Sequence, residues 1–168
     1  MKSYGTSWLN PRVVVALSPI EGRGLFARAK IEAGEVVVRL GGEVLADEEF
    51  RARRPIKYSA LGIDDGLNPL LDEESPVTFG NHSCDANLWM ADEVTLIARH
   101  RIEAGDEVTI DYALHTADPS WSMACRCGFP VCRGVVTHED WQRRDVRERY
   151  AGHVRPFLNR RIATPGTP

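Results

Sequence analysis

Residues 125 to 132 read Cys-Arg-Cys-Gly-Phe-Pro-Val-Cys, three cysteines within eight positions. A Cys-x-Cys-x4-Cys run suits a metal, because a tight turn at Arg126-Cys127-Gly128 lets thiolates converge on one ion. Tetrahedral zinc takes four such ligands. The chain has one cysteine more, Cys84, far upstream. If zinc is bound by thiolates alone, Cys84 is the fourth ligand. A disulfide or inert buried thiols are the competing readings; in a reducing compartment such a cluster reads as metal first.

Three other segments hold residues that could do chemistry. Gly22-Arg23-Gly24 lets backbone approach a ligand closely, although no phosphate-binding helix follows it and a plain tight turn has the same pattern. Gly80-Asn81-His82-Ser83-Cys84-Asp85-Ala86-Asn87 is dense in local hydrogen-bonders that stabilise irregular backbone. The Asn81 amide could meet both the ammonium and the carboxylate of an amino-acid-like ligand. Glu107-Val-Thr-Ile-Asp-Tyr112 reads as a strand ending in a tyrosine, whose hydroxyl ordinarily sits at a rim.

The elements that must position these residues are short. The run 13–17 and the alternating 25–29 read as strands, and a turn at Ala33-Gly34 leads to another ending near Leu40. Residues 47–54 form the one helix expected in the first half, with Asp47 as N-cap. Hairpins are expected at 64–66 and 91–93, and 107–112 is the last strand. Ile31-Glu-Ala-Gly recurs as Ile102-Glu-Ala-Gly, one turn device used twice. Residues 137–152 read as a helix with Thr137 as N-cap and Gly152 as stop, restarted by Pro156. Val146, Tyr150, Val154 and Leu158 recur every four residues, the stripe of a packing helix or of a homodimer interface. The whole is a mostly β domain with a helical end.

The chain has 168 residues, 43% hydrophobic and 27% charged, with net charge −3. That size buries a sizeable core without staples. No basic bias points to nucleic acid, and no apolar run reaches the ~20 residues of a membrane span. The start has no signal-peptide core, so the expected location is cytoplasmic.

Taken in order, Gly-x-Gly-Leu-Phe-Ala, Phe-x-Asn-His-Ser-Cys, Glu-Val-Thr-Ile-Asp-Tyr and Cys-x-Cys-Gly-x3-Cys-Arg-Gly resemble the SET-domain protein lysine methyltransferases that carry a post-SET zinc motif. The resemblance implies a SET domain over 12–112, a post-SET segment over 113–136 and a helical extension over 137–162. The implied fold is a β-clip with a pseudo-knot, closed by a zinc-bound lid. It implies S-adenosylmethionine held by Gly22, Arg23, Gly24, Leu25 and Phe26, mainly through backbone, and by Asn81 and His82, with Phe129 against the adenine. Tyr112 is the implied catalytic residue and Tyr58 a wall of the lysine channel. One structural zinc is implied on Cys84, Cys125, Cys127 and Cys132. The implied partner is a protein with an accessible lysine.

Two positions depart from the family pattern: Thr78 stands in place of arginine and Ala86 in place of proline. Neither is a group that methyl transfer needs. A catalytically silent module that binds cofactor or peptide and regulates a partner is the alternative function.

Overall fold

The computed structural model describes residues 2–53, 62–116 and 118–164. Tyr58 lies outside the described residues. The chain forms eleven short strands and three short α-helices among the described residues. β2 (Val13–Leu17), β3 (Arg23–Ala27) and β9 (Glu107–Val108) make one antiparallel sheet. β1 (Trp8–Leu9), β4 (Val36–Arg39), β8 (Thr95–Ala98) and β7 (Leu88–Met90) make a second, in that order. β5 (Glu43–Ala46) pairs with β6 (Leu67–Leu70), and β10 (Ser122–Ala124) with β11 (Val135–Thr137).

The repeated Ile-Glu-Ala-Gly turns face each other. Ile31 N–H donates to Ile102 O at 3.0 Å and Ile102 N–H to Ile31 O at 2.9 Å. Gly34 N–H reaches Ala98 O at 2.8 Å, and Gly105 N–H reaches Ala27 O at 2.7 Å. Both glycines have φ near +90°, at +82° and +94°, where a side chain would be strained. Glu35 accepts from Glu32 N–H and Asp106 from Glu103 N–H in the same way. The echo in the sequence is therefore a local twofold that joins the two larger sheets.

Several elements differ from the sequence expectation. The second strand covers 23–27 rather than 25–29. Among the described residues the turn at 64–66 closes with Asp64 bridging Leu67, and Leu67–Leu70 then runs against Glu43–Ala46, with Pro69 opposite Val44. A proline in a two-stranded edge pairing leaves a neighbour's carbonyl to solvent, which such a sheet tolerates. The expected strand 107–112 stops after Val108, and Tyr112 opens a 3-10 turn, Tyr112–Leu114, capped by the Asp111 carboxylate on Ala113 N–H at 3.0 Å. The helix expected over 137–152 is broken. Thr137 belongs to β11, a 3-10 turn spans Asp140–Gln142, and α2 begins only at Arg144 (Arg144–Tyr150). Ala151, at φ 47°, closes α2, and Gly152 follows it.

Pro156 does restart the helix, as the first residue of α3 (Pro156–Ala163). Val146, Tyr150, Val154 and Leu158 are all buried in one cluster with Leu25, Ile31 and Leu88 of the β layers. The helical end thus packs on the β domain, and each buried Val or Leu contributes roughly 1.5–3 kcal/mol. No described helix is long and apolar enough to cross a membrane. α1 (Asp47–Arg53) follows β5 and buries only Phe50.

Candidate active site and metal centre

Cys84, Cys125, Cys127 and Cys132 come together, with all four sulfurs within 4.8 Å of one another. Cys84 Sγ lies 3.7 Å from Cys125 Sγ. A zinc tetrahedron with Zn–S near 2.3 Å spaces its sulfurs about 3.8 Å apart, whereas a disulfide needs about 2 Å. Burial pushes the Cys84 thiol up to about 11. Backbone N–H groups already point at sulfur: Arg133 N–H at Cys84 Sγ and Gly134 N–H at Cys132 Sγ, each 3.4 Å away. The donor set fits one structural zinc.

The cysteine cluster is wired to the tyrosine by His82. Its Nδ1 accepts the Tyr112 backbone N–H at 3.1 Å, which leaves Nε2 to face Cys84 Sγ at 3.3 Å as the donor. Residues 81–83 run parallel to the chain at Ile110, two residues past β9: Ile110 N–H donates to Asn81 O and Ser83 N–H to Ile110 O. The loop that carries Asn81, His82 and Cys84 and the segment that carries Tyr112 are therefore one hydrogen-bonded unit.

A cavity of about 520 Å³ opens over this unit, lined by Ile20, Glu21, Asn81, His82, Tyr112, Met123, Ala124 and Arg126. On its wall, Asn81 Nδ2 lies 3.1 Å from Glu21 O, 3.2 Å from Arg23 O and 2.8 Å from Glu107 Oε1. Ser18 Oγ holds the Glu107 carboxylate from the other side at 2.9 Å. Gly24 makes this possible: a Cβ there would sit 2.2 Å from Glu107 Oε1 and 3.0 Å from Asn81 Nδ2. Arg126 of the cysteine segment reaches 4.0 Å from Glu21, an exposed pair across the cavity mouth.

The Tyr112 hydroxyl donates to Gly80 O at 2.7 Å. Its ring is packed by His82, His115 and Trp121, with centroids 5.3, 5.5 and 6.1 Å away. Burial pushes the phenol up to about 12. Tyr112 therefore keeps its proton near neutral pH and acts as a fixed hydrogen-bonding group.

The family described as the SET domain matches residues 22–113 of this chain, from the Gly-x-Gly turn to just past Tyr112. The chain belongs to the SET-domain family. This SET domain is 32% identical over 142 residues to histone-lysine N-methyltransferase ash1 of Drosophila melanogaster, a stretch that is 75% of this chain and 6% of that protein. It is 33% identical over 135 residues to histone-lysine N-methyltransferase 2B of Homo sapiens, covering 72% of this chain and 5% of that protein. The chain thus corresponds to a small part of these much longer relatives. In fold it is similar to the methyltransferase domain of human histone-lysine N-methyltransferase SETMAR, with TM-score 0.61, 22% identity, 75% of this chain covered and 58% of that one.

Of the residues expected in the site, Asn81, His82 and Tyr112 line the SET-domain cavity, and Gly22, Arg23 and Gly24 border it. Gly22 takes φ +45°, and the Arg23 guanidinium lies over the Phe79 ring at 4.1 Å. Leu25 is fully buried in the core, in the central strand between Val15 and Val108. Phe26 is half-buried beside Glu107, and Phe129 is exposed in the lid. Three residues were not expected from the sequence: Glu107, Asp111 and Arg133. The signal for Glu107 and Asp111 is polar residues at every second position, 107, 109 and 111, in a segment otherwise destined for the core.

Proposed function

We propose that this SET domain transfers a methyl group from S-adenosylmethionine to the ε-amine of a lysine in a protein substrate, with one structural zinc holding its lid. The observation that carries the reading is the Tyr112 hydroxyl, anchored on Gly80 O beside a cavity whose size is ordinary for a cofactor. The Gly24 cradle, with Asn81 and the Glu21 and Arg23 carbonyls on one wall, suits the polar amino-acid end of such a ligand.

S-adenosylmethionine supplies the electrophilic methyl group. The attacking amine must be neutral, and taking a lysine proton off at pH 7 costs about 4.6 kcal/mol from a pKa near 10.4. Burial keeps the Tyr112 phenol protonated near neutral pH, so no phenolate is on hand as the base. Its oxygen can accept a hydrogen bond from the amine while its own O–H stays donated to Gly80 O, which aims the lone pair. A desolvated channel disfavours the ammonium, and the proton leaves to water. Four cysteine ligands complete a zinc coordination shell without an open position, so the metal's role is to fasten residues 125–132 to Cys84.

The test is methyl transfer from labelled S-adenosylmethionine into a protein extract, wild type beside Tyr112→Phe. Discrete labelled bands that vanish in the variant, with label on lysine, are expected. Cofactor binding without any labelling would overturn the enzymatic reading in favour of a silent binding module.

A further inference from the structure

The loop that carries Cys84 is gripped from behind by the helical end of the chain. Tyr150 is fully buried at the end of α2. Its hydroxyl accepts the Ala86 N–H at 3.1 Å and faces Cys84 O at 3.5 Å as a donor. Arg149 Nη1 donates to the same Cys84 O at 3.1 Å. Arg99 completes the grip, with Nη1 2.8 Å from Asp85 Oδ1 and 3.1 Å from Ala86 O. Its guanidinium carbon lies 5.3 Å from the centre of the Tyr150 ring.

These contacts have a chemical logic. Ala86 is buried, and its N–H needs a partner. Tyr150 supplies that partner, and its own proton then goes to the carbonyl of the residue whose sulfur faces the other three cysteines. Tyr150 and Arg149 lie beyond the matched SET residues 22–113, so a segment outside the family match orients a group within it. The path continues from Cys84 Sγ to His82 Nε2 and from His82 Nδ1 to Tyr112 N–H.

We propose that Tyr150, assisted by Arg149, is a positioning residue: it sets Cys84 for zinc and thereby couples α2 to the cofactor cavity. The proposal rests on the zinc reading above. It makes a specific chemical demand. Tyr150→Phe leaves the Ala86 N–H buried and unpaired. Ala86→Pro removes that N–H and puts the ring Cδ where the 3.1 Å separation from the Tyr150 oxygen leaves no room. Combined, the two changes remove donor, acceptor and clash together, and Cys84 O keeps Arg149 Nη1 as its donor.

The experiment is a double-mutant cycle on the full chain, with wild type, Tyr150→Phe, Ala86→Pro and the pair. It is read by the rate of zinc release to a chelator and by the thermal midpoint. Each single variant is expected to release zinc about tenfold faster, the scale of one unpaired buried group, and to melt lower. The double variant is expected within about threefold of wild type, since coupled neighbours are strongly non-additive. Losses that add in the double variant, or singles that match wild type, would overturn the proposal. A wild-type protein that takes up no zinc would overturn the metal reading instead, and the four thermal midpoints would then decide the clamp by the same criterion.

Discussion

Arg133 grips both carboxylate oxygens of Asp111, with Nη1 at 2.8 Å and Nη2 at 2.6 Å. Arg133 follows the last cysteine of the lid, and Asp111 precedes Tyr112. Both side chains are essentially inaccessible, at 1% and 0% exposure. Asp140 stands 2.6 Å from Arg133 Nε as a second counter-charge. Breaking a buried pair on one side strands a charge, which costs about 3–5 kcal/mol. Asp111→Asn is expected to lose stability on that scale in urea unfolding. A loss below about 1 kcal/mol would show that Asp140 alone suffices for Arg133.

Gly24 should not tolerate even a methyl group. The Glu107 carboxylate that an added Cβ would strike is held by Ser18 and Asn81, so moving it disturbs the cavity wall. Gly24→Ala is expected to lower methyl-transfer turnover by about 10²-fold, the scale of a 1 Å misplacement, with a thermal midpoint close to wild type. Unchanged turnover would mean that Glu107 swings aside freely.

Arg155 is fully buried, and none of its three guanidinium nitrogens has a hydrogen-bond partner among the described residues. Burial drags its pKa down to about 9, still charged at neutral pH. A buried charge with no hydrogen-bond partner among the described residues carries a penalty that an apolar side chain of similar length avoids. Arg155→Met is expected to raise unfolding free energy by about 1–4 kcal/mol, measured in urea at pH 7. A decrease would show that water or another group satisfies the guanidinium better than the apolar chain packs.

Acid should weaken the fold through His115. Burial holds its pKa well below the usual histidine value, and the Arg155 charge adds to the effect. The unfolded chain takes up this proton near pH 6.5, while the folded one takes it only at much lower pH. The stabilisation is therefore complete above about pH 6.5 and is lost as pH falls below it. His115→Phe should flatten the stability curve between pH 6.5 and 5, and Arg155→Met should flatten it in part. An unchanged slope in His115→Phe would place the acid sensitivity elsewhere, His82 being the next group to examine.

What local pattern determines was readable in advance. The β-branched run at 13–17 is β2 to the residue, and the turn at 91–93 joins β7 to β8 as a hairpin. The cysteine spacing foretold the cluster because four sulfurs on one ion admit few arrangements. What depends on distant partners was not readable. The helix expected over 137–152 fails because Val135–Thr137 pairs with Ser122–Ala124, and because Asp140 turns toward both the Thr137 hydroxyl and Arg133. Glu107 was readable only as the first residue of a strand. Only the approach of Ser18 and Asn81 gives it a role, and neither is near it in sequence.

The paired Ile31 and Ile102 turns bear on how the chain is made. During synthesis the first turn leaves the ribosome some seventy residues before its counterpart, a wait of roughly 4–14 s at 5–20 residues per second. Throughout that interval Arg23–Ala27 and Val36–Arg39 have strand sequences but lack the partners, β9 and β8, that complete their sheets. The nascent chain thus presents two apolar β-forming runs to its surroundings until residues 95–108 emerge to cover them, and this is the window in which a holding chaperone would matter most.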